Sequence, residues 1–245
     1  MSWVKNTLTS SIGQKIVMSL SGLFLIVFLV SHLTGNISLL LNDGATFNEY
    51  AHFMKHNKVI VIGEVVMFAF ILLHIVQAIA LSKKNNSARS QKYAVPHKNE
   101  KVNWTSKYMM HFGIVILVFL VLHLVDFFSF KYFREAALEG IDFTNLGYLI
   151  QQHFEVAHST TGEIIPNLHA KVHEVYVNSP IHWIIYPVAM FVIGLHLSHG
   201  FQSAFQTLGL NHKKYTPIIK TVGTVYAIVI PVSYTHLTLP TTSRV

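Results

Sequence analysis

The chain contains no cysteine. That excludes disulfides, thiolate-held iron–sulfur clusters and thiolate metal ligands from its chemistry. Charge is scarce as well. Asp, Glu, Lys and Arg make up 12% of the 245 residues, against about 25% in an ordinary soluble domain. No dinucleotide-binding fingerprint is present, and no aromatic-plus-basic pattern points to nucleic acid. A cleavable signal pattern is missing too. The opening "MSWVKNTLTSSIGQK" is polar, and no small-residue cleavage site follows a short apolar core. The first apolar run is therefore expected to be a retained helix.

What the chain has instead is apolar length. Hydrophobic residues reach 51% and gather in runs of about 20, the length that crosses a bilayer as helix. Five spans are expected: residues 13–41, 58–81, 107–130, 180–205 and 215–234. The fifth is the weakest, because its apolar part is short. The resulting fold class is an all-α transmembrane domain over residues 1–234, with a long connection at 131–179 and an atypical tail at 235–245.

The connections differ in charge. Lys83, Lys84, Arg89, Lys92, Lys98, Lys101 and Lys107 face only Glu100 between spans two and three. Lys213 and Lys214 stand without an acid between spans four and five, and Lys5 and Lys15 lie near the N-terminus. On the other side, Asp43 and Glu49 accompany Lys55. The 131–179 connection carries Glu135, Glu139, Asp142, Glu155, Glu163 and Glu174 against Lys131, Arg134 and Lys171. The net charge of +7 thus reads as topology, with the N-terminus and the two basic connections cytoplasmic. The 131–179 connection is too long for a plain turn, and amphipathic helix on the outer surface is expected within it.

Sixteen histidines are the unusual component. The first four spans each hold one well inside: His32, His74, His123 and His196. At about 1.5 Å per residue, His32 and His123 lie roughly 24–27 Å from the cytoplasmic edge, and His74 and His196 roughly 10–14 Å. One intramembrane histidine can simply hydrogen-bond a neighbouring helix. Four of them, one per helix and sorting into two levels, fit two b-type haems, each held by two imidazoles from facing helices. Gly35, Ala78 and Gly200, each within one turn of a ligand, are expected to make room for a macrocycle.

The remaining histidines carry weaker signals. His199 sits nearly on the face of His196, as a second ligand, a propionate or quinone contact, or a polar packing residue. His111 and His182 are expected at the interface. His52, His56, His97, His153, His158, His169, His173 and His212 are expected in loops. The i, i+4 spacing of His169 and His173 could bind a metal if helical.

The segments "FLVSHL" around His32, "FNEYAHFM" at 47–54, "LLHIVQAI" around His74, "VLHLVDF" around His123 and "GLHLSHGFQSAF" around His196 point to a family. In order, over about residues 12–230, the chain resembles the single-chain, five-helix, di-haem cytochrome b subunit of succinate dehydrogenase/fumarate reductase. The resemblance implies that His74 and His196 ligate the haem nearer the cytoplasm and His32 and His123 the outer one. The family position matching His199 is not a ligand. The resemblance also implies a bacterial cytoplasmic membrane, flavoprotein and iron–sulfur partner subunits, and a membrane quinone, commonly menaquinone, as the electron-exchange partner. Succinate chemistry belongs to the flavoprotein.

Two departures stand out. Some family members have a glutamate where this chain has Gly194, so a proton route there is unsupported. After Tyr234 the expected apolar helix gives way to "THLTLPTTSRV", which suggests a foreign or mistranslated terminus. Candidates for quinone or proton handling are Glu49 in the short outer loop, Glu64 inside span two, and His199. Lys15 and Ser19 lie where inner-haem propionates could reach them. Other readings are a di-haem cytochrome of a hydrogenase or formate dehydrogenase, and a haem-free transporter with a histidine relay. A di-iron oxidase would cluster its histidines at one membrane face, and a bc-type cytochrome would put two ligands on each of two helices.

Overall fold

The computed structural model describes Asn6 and residues 9–40, 44–87, 104–128 and 156–238. It is mostly helical. Five segments are long and apolar enough to cross a membrane: Ser11–Leu40, Lys58–Ser87, Trp104–Phe128, Pro180–Thr207 and Thr216–Leu237. We label the helices α1 (Ser11–Asn36), α2 (Ala45–His56), α3 (Lys58–Ser87), α4 (Trp104–His123), α5 (Leu168–Asn178), α6 (Pro180–Thr207) and α7 (Thr216–Thr238), with a β1–β2 hairpin at Val156–His158 and Ile164–Pro166. A 3₁₀ turn, Ile37–Leu40, ends the first segment, and a π-helical turn, Leu124–Phe128, ends the third.

These helices carry apolar side chains around most of their circumference. Val65 is 66% exposed, Val118 67% and Phe191 68%. In water such a surface would invite aggregation; against lipid it needs no cover. Most backbone polar groups pair within each helix, as a bilayer requires; Pro187 in α6 and Pro231 in α7 remove one amide donor each.

Several edges differ from the sequence-based expectation. The second span runs on to Ser87 rather than stopping near Leu81, since long polar side chains at a helix end can continue it into the interface. The fifth helix continues through Thr238, so residues 235–238 are helical although the tail reads as neither helix nor loop of the family; the rest of the tail lies outside the described residues. The short outer loop expected around Glu49 is mostly the helix α2. His52 and His56 are therefore helical, as are His169 and His173 on α5. Helix α5 answers the expectation of a helix within 131–179, and the hairpin was not foreseen. Residues 129–155 and most of the basic 2–3 connection, 88–103, lie outside the described residues.

The chain divides into two compact units. The first comprises residues 1–30, 64–114 and 192–231. Here Phe24 stacks on Phe70 at 4.3 Å, and the Tyr226 hydroxyl donates to the Ile26 carbonyl at 2.6 Å. A Cβ on Gly194 would lie 2.9 Å from the Ala227 carbonyl oxygen. This position therefore serves close approach of α6 to α7 and leaves no space for a larger side chain.

The second unit comprises residues 31–63, 115–191 and 232–245. Outside the candidate membrane spans it contains a clamp between α2 and α5. The Asn48 amide donates to Asn167 Oδ1 at 2.9 Å, while Asn48 Oδ1 accepts from the His169 backbone N–H at 2.8 Å. Asn167 in turn caps α5 by accepting from the Ala170 N–H at 3.0 Å. Gly44 precedes α2 with φ +63°, and a Cβ there would lie 2.6 Å from the His169 ring. Only glycine suits that position on both counts.

Candidate functional site

Two pairs of imidazoles face each other, one pair in each unit. In the first unit, His74 on α3 and His196 on α6 have ring centres 6.3 Å apart and planes inclined at 64°. In the second, His32 on α1 and His123 at the end of α4 have ring centres 5.8 Å apart and planes at 68°.

The first pair is held by small residues. Ser21, fully buried on α1, reaches the pair: its Oγ lies 3.0 Å from the Met18 carbonyl and 3.1 Å from His74 Nδ1. With the hydroxyl proton directed at Met18, the oxygen accepts from His74 Nδ1–H, and in that tautomer Nε2 keeps its lone pair. A Cβ on Gly22 would lie 3.4 Å from His74 Cε1, and one on Gly113 4.0 Å from His196 Cε1. These two glycines, together with Ser21, are the small residues beside the pair.

The second pair is walled by aromatic rings. Phe119, Phe127 and Tyr186 lie with ring centres 5.8, 5.3 and 6.3 Å from that of His123. Tyr234 lies 5.8 Å from His32. Asn36 Nδ2 is 3.2 Å from His32 Nδ1. Gly35 does not open onto a free space: a Cβ there would meet the Tyr50 ring at 2.6 Å. The room expected for a macrocycle at Gly35 is taken by Tyr50, which packs in from α2. Gly200 has open space around its Cβ position.

A haem can be tested against these residues directly. Two imidazoles on opposite sides of one metal, through bonds of about 2 Å and with each nitrogen about 1.1 Å from its ring centre, have ring centres about 6 Å apart. Both pairs match that separation. In each pair one ring has its Nδ1 engaged, but differently: His74 Nδ1 lies beside the Ser21 hydroxyl, whereas His32 Nδ1 accepts from the Asn36 amide, which leaves the His32 proton on Nε2. In the other ring, His196 or His123, Nδ1 is buried with no hydrogen-bond partner among the described residues. A buried polar atom left unpaired costs about 1–3 kcal/mol; here it is Nδ1, on the same ring as the Nε2 that would face a metal. Among the described residues no group of three or more His, Asp or Glu side chains is placed to hold a metal.

The other candidates stand apart. Glu49, on α2, accepts the Thr160 backbone N–H at 2.5 Å at the hairpin turn. The Thr160 side chain and amide hold its carboxyl below the ordinary glutamate range, so it is an ionised anchor for the hairpin. Glu64 is half-buried on α3, and His199 is half-buried on α6. His169 is engaged in the α2–α5 clamp and His173 is exposed.

One group escaped the sequence reading. Asp126 lies in the π-helical turn after α4, three residues past His123. Its Oδ2 accepts from the Tyr186 hydroxyl at 3.0 Å and lies 3.3 Å from His182 Nε2, outside hydrogen-bond geometry. The available signal was an acid inside an apolar run, which is rare without a reason.

Compared with family models, curated proteins and solved structures, the chain has no match.

Proposed function

We propose that the chain is the di-haem cytochrome b anchor of a succinate:quinone oxidoreductase. It carries electrons between an iron–sulfur subunit and a membrane quinone. The observation that supports this reading is the pairing itself: four half-buried histidines, one from each of four spans, form two imidazole pairs at 5.8 and 6.3 Å.

In this reading His74 and His196 hold one haem b, His32 and His123 the other. Haem supplies one-electron storage by alternation of its iron between ferric and ferrous forms. The chain's own residues set the conditions for that chemistry. Ser21 orients His74 and keeps its Nε2 unprotonated. Gly22 and Gly113 keep side chains off the imidazoles of the first pair. Phe119 and Phe127 exclude water from the second pair, and the low dielectric they create strengthens local electrostatics.

The charge asymmetry of the connections supports a cytoplasmic N-terminus in a bacterial inner membrane. Flavoprotein and iron–sulfur partners on that face, and menaquinone as the quinone, follow from the family resemblance. The chain itself has no group for succinate chemistry.

Purification of the tagged chain from its native membrane in mild detergent tests the proposal. A flavoprotein and an iron–sulfur protein should accompany it, and succinate or a quinol should reduce its b-type α band. Co-purification with a hydrogenase or formate dehydrogenase instead would reassign the partner. Absence of any α band would end the reading.

A further inference from the structure

The five spans contain two carboxylates among the described residues, Glu64 and Asp126. A carboxylate at membrane depth is costly and is retained where it has a partner or a task. Asp126 is 14% exposed and His182, facing it from the first turn of α6, is 15% exposed. Asp126 also sits in a π-helical turn, a local irregularity that is frequent at functional sites.

Tyr186 links this group to the His32–His123 pair. Its hydroxyl donates to Asp126 Oδ2 at 3.0 Å, and its ring centre lies 6.3 Å from that of His123. The residue is 2% exposed, so the hydroxyl dipole is fixed in place. The titratable groups that face Asp126 among the described residues are His182 and Tyr186 from α6 and Tyr176 from α5. Burial raises Tyr176 above the ordinary tyrosine range, so that phenol stays neutral and is not a competing proton acceptor. His182 Nδ1 is 2.5 Å from Ser179 Oγ, where α6 begins. Its Nε2, beside the carboxylate, has no hydrogen-bond partner among the described residues.

We propose that Asp126 and His182, joined through Tyr186 to the outer pair, form a proton-exchange site. It takes up one proton when the group held by His32 and His123 gains one electron, and releases it when that electron leaves. The inference rests on the reading that this pair holds a redox group. The electron comes from a quinol or from the iron–sulfur partner, and the proton comes from water. The proton converts the Asp126 carboxylate to a carboxyl, and no other bond changes. An added electron nearby makes the surroundings more negative, which raises the proton affinity of both groups. Asp126 is then a positioning and proton-holding residue that acts beside the ligands without touching the metal.

The test is an equilibrium redox titration of the α bands across pH, in the intact complex in native membranes. His123→Ala identifies the outer component by its loss. The native outer midpoint should fall as pH rises, by up to about 59 mV per tenfold change in proton activity, and more steeply than the inner midpoint. Asp126→Asn should abolish most of that slope at full haem content, and Asp126→Glu should restore it. A purely structural tie would leave the slope unchanged. Asp126→Asn with both components and a native slope overturns the proposal, as does a native outer midpoint that is independent of pH. If Asp126→Asn fails to assemble, Tyr186→Phe, which removes only the hydroxyl, and His182→Gln decide: a native slope in both overturns it. If the native complex shows no pair of haem components, the functional reading itself fails, and this inference with it.

Discussion

Ser21 Oγ lies 3.1 Å from His74 Nδ1 while its own proton is used on the Met18 carbonyl 3.0 Å away. One hydroxyl therefore sets which nitrogen of His74 is available. Metal-binding histidines are commonly oriented by such a partner, and loss of the partner costs about 10–100-fold in affinity. Ser21→Ala should weaken haem retention at the His74–His196 pair by that order and leave the other pair unaffected. Haem content after detergent washing, resolved by the two α bands, reads this. Equal loss from both pairs would speak against a local role.

Gly35 and Tyr50 predict a coupling. A Cβ on Gly35 would overlap the Tyr50 ring at 2.6 Å, and an aromatic ring has little freedom to yield. Gly35→Ala should destabilise the protein by about 1–3 kcal/mol. Adding Tyr50→Ala should recover part of that loss, because the obstruction is gone. Thermal unfolding in detergent of the two single variants and the double variant measures the coupling. Strictly additive effects would show that the two side chains do not compete for one space.

Glu49 predicts a pH dependence. Thr160 holds its carboxyl below the ordinary glutamate range. A depressed carboxylate stabilises the folded state above its unfolded pKa, and that contribution fades as pH falls through the folded value. The Thr160 amide should therefore be protected from hydrogen exchange near neutral pH and lose protection in acid, below the usual glutamate range. Glu49→Gln should give protection that no longer varies with pH in that window. The contact ties Glu49 to the hairpin turn alone, so the effect is local and global stability should hardly change.

The legible and illegible parts of this protein divide along physical lines. The five spans could be read because a bilayer demands an uninterrupted apolar run, and such runs are local in sequence. The proximity of His32 to His123 and of His74 to His196 could be reached by counting helical rise from a charged edge. Long-range contacts had no such ruler. Asn48 meets Asn167 across the clamp, and nothing in the period of either segment announces it. Tyr50 filling the notch at Gly35 is of the same kind: the glycine was visible, but which neighbour used it was not. Asp126 was overlooked for another reason, since one acid barely changes the hydropathy of the run that contains it.

In the proposed function each of the two imidazole pairs holds one haem b, and that claim can be counted. The most direct measurement is haem per chain in the purified protein, with the reduced-minus-oxidised spectrum of His74→Ala and His123→Ala. We expect two b haems per chain, and each substitution should remove a different one. One haem or none per chain, or the same spectral component lost in both variants, would contradict the claim.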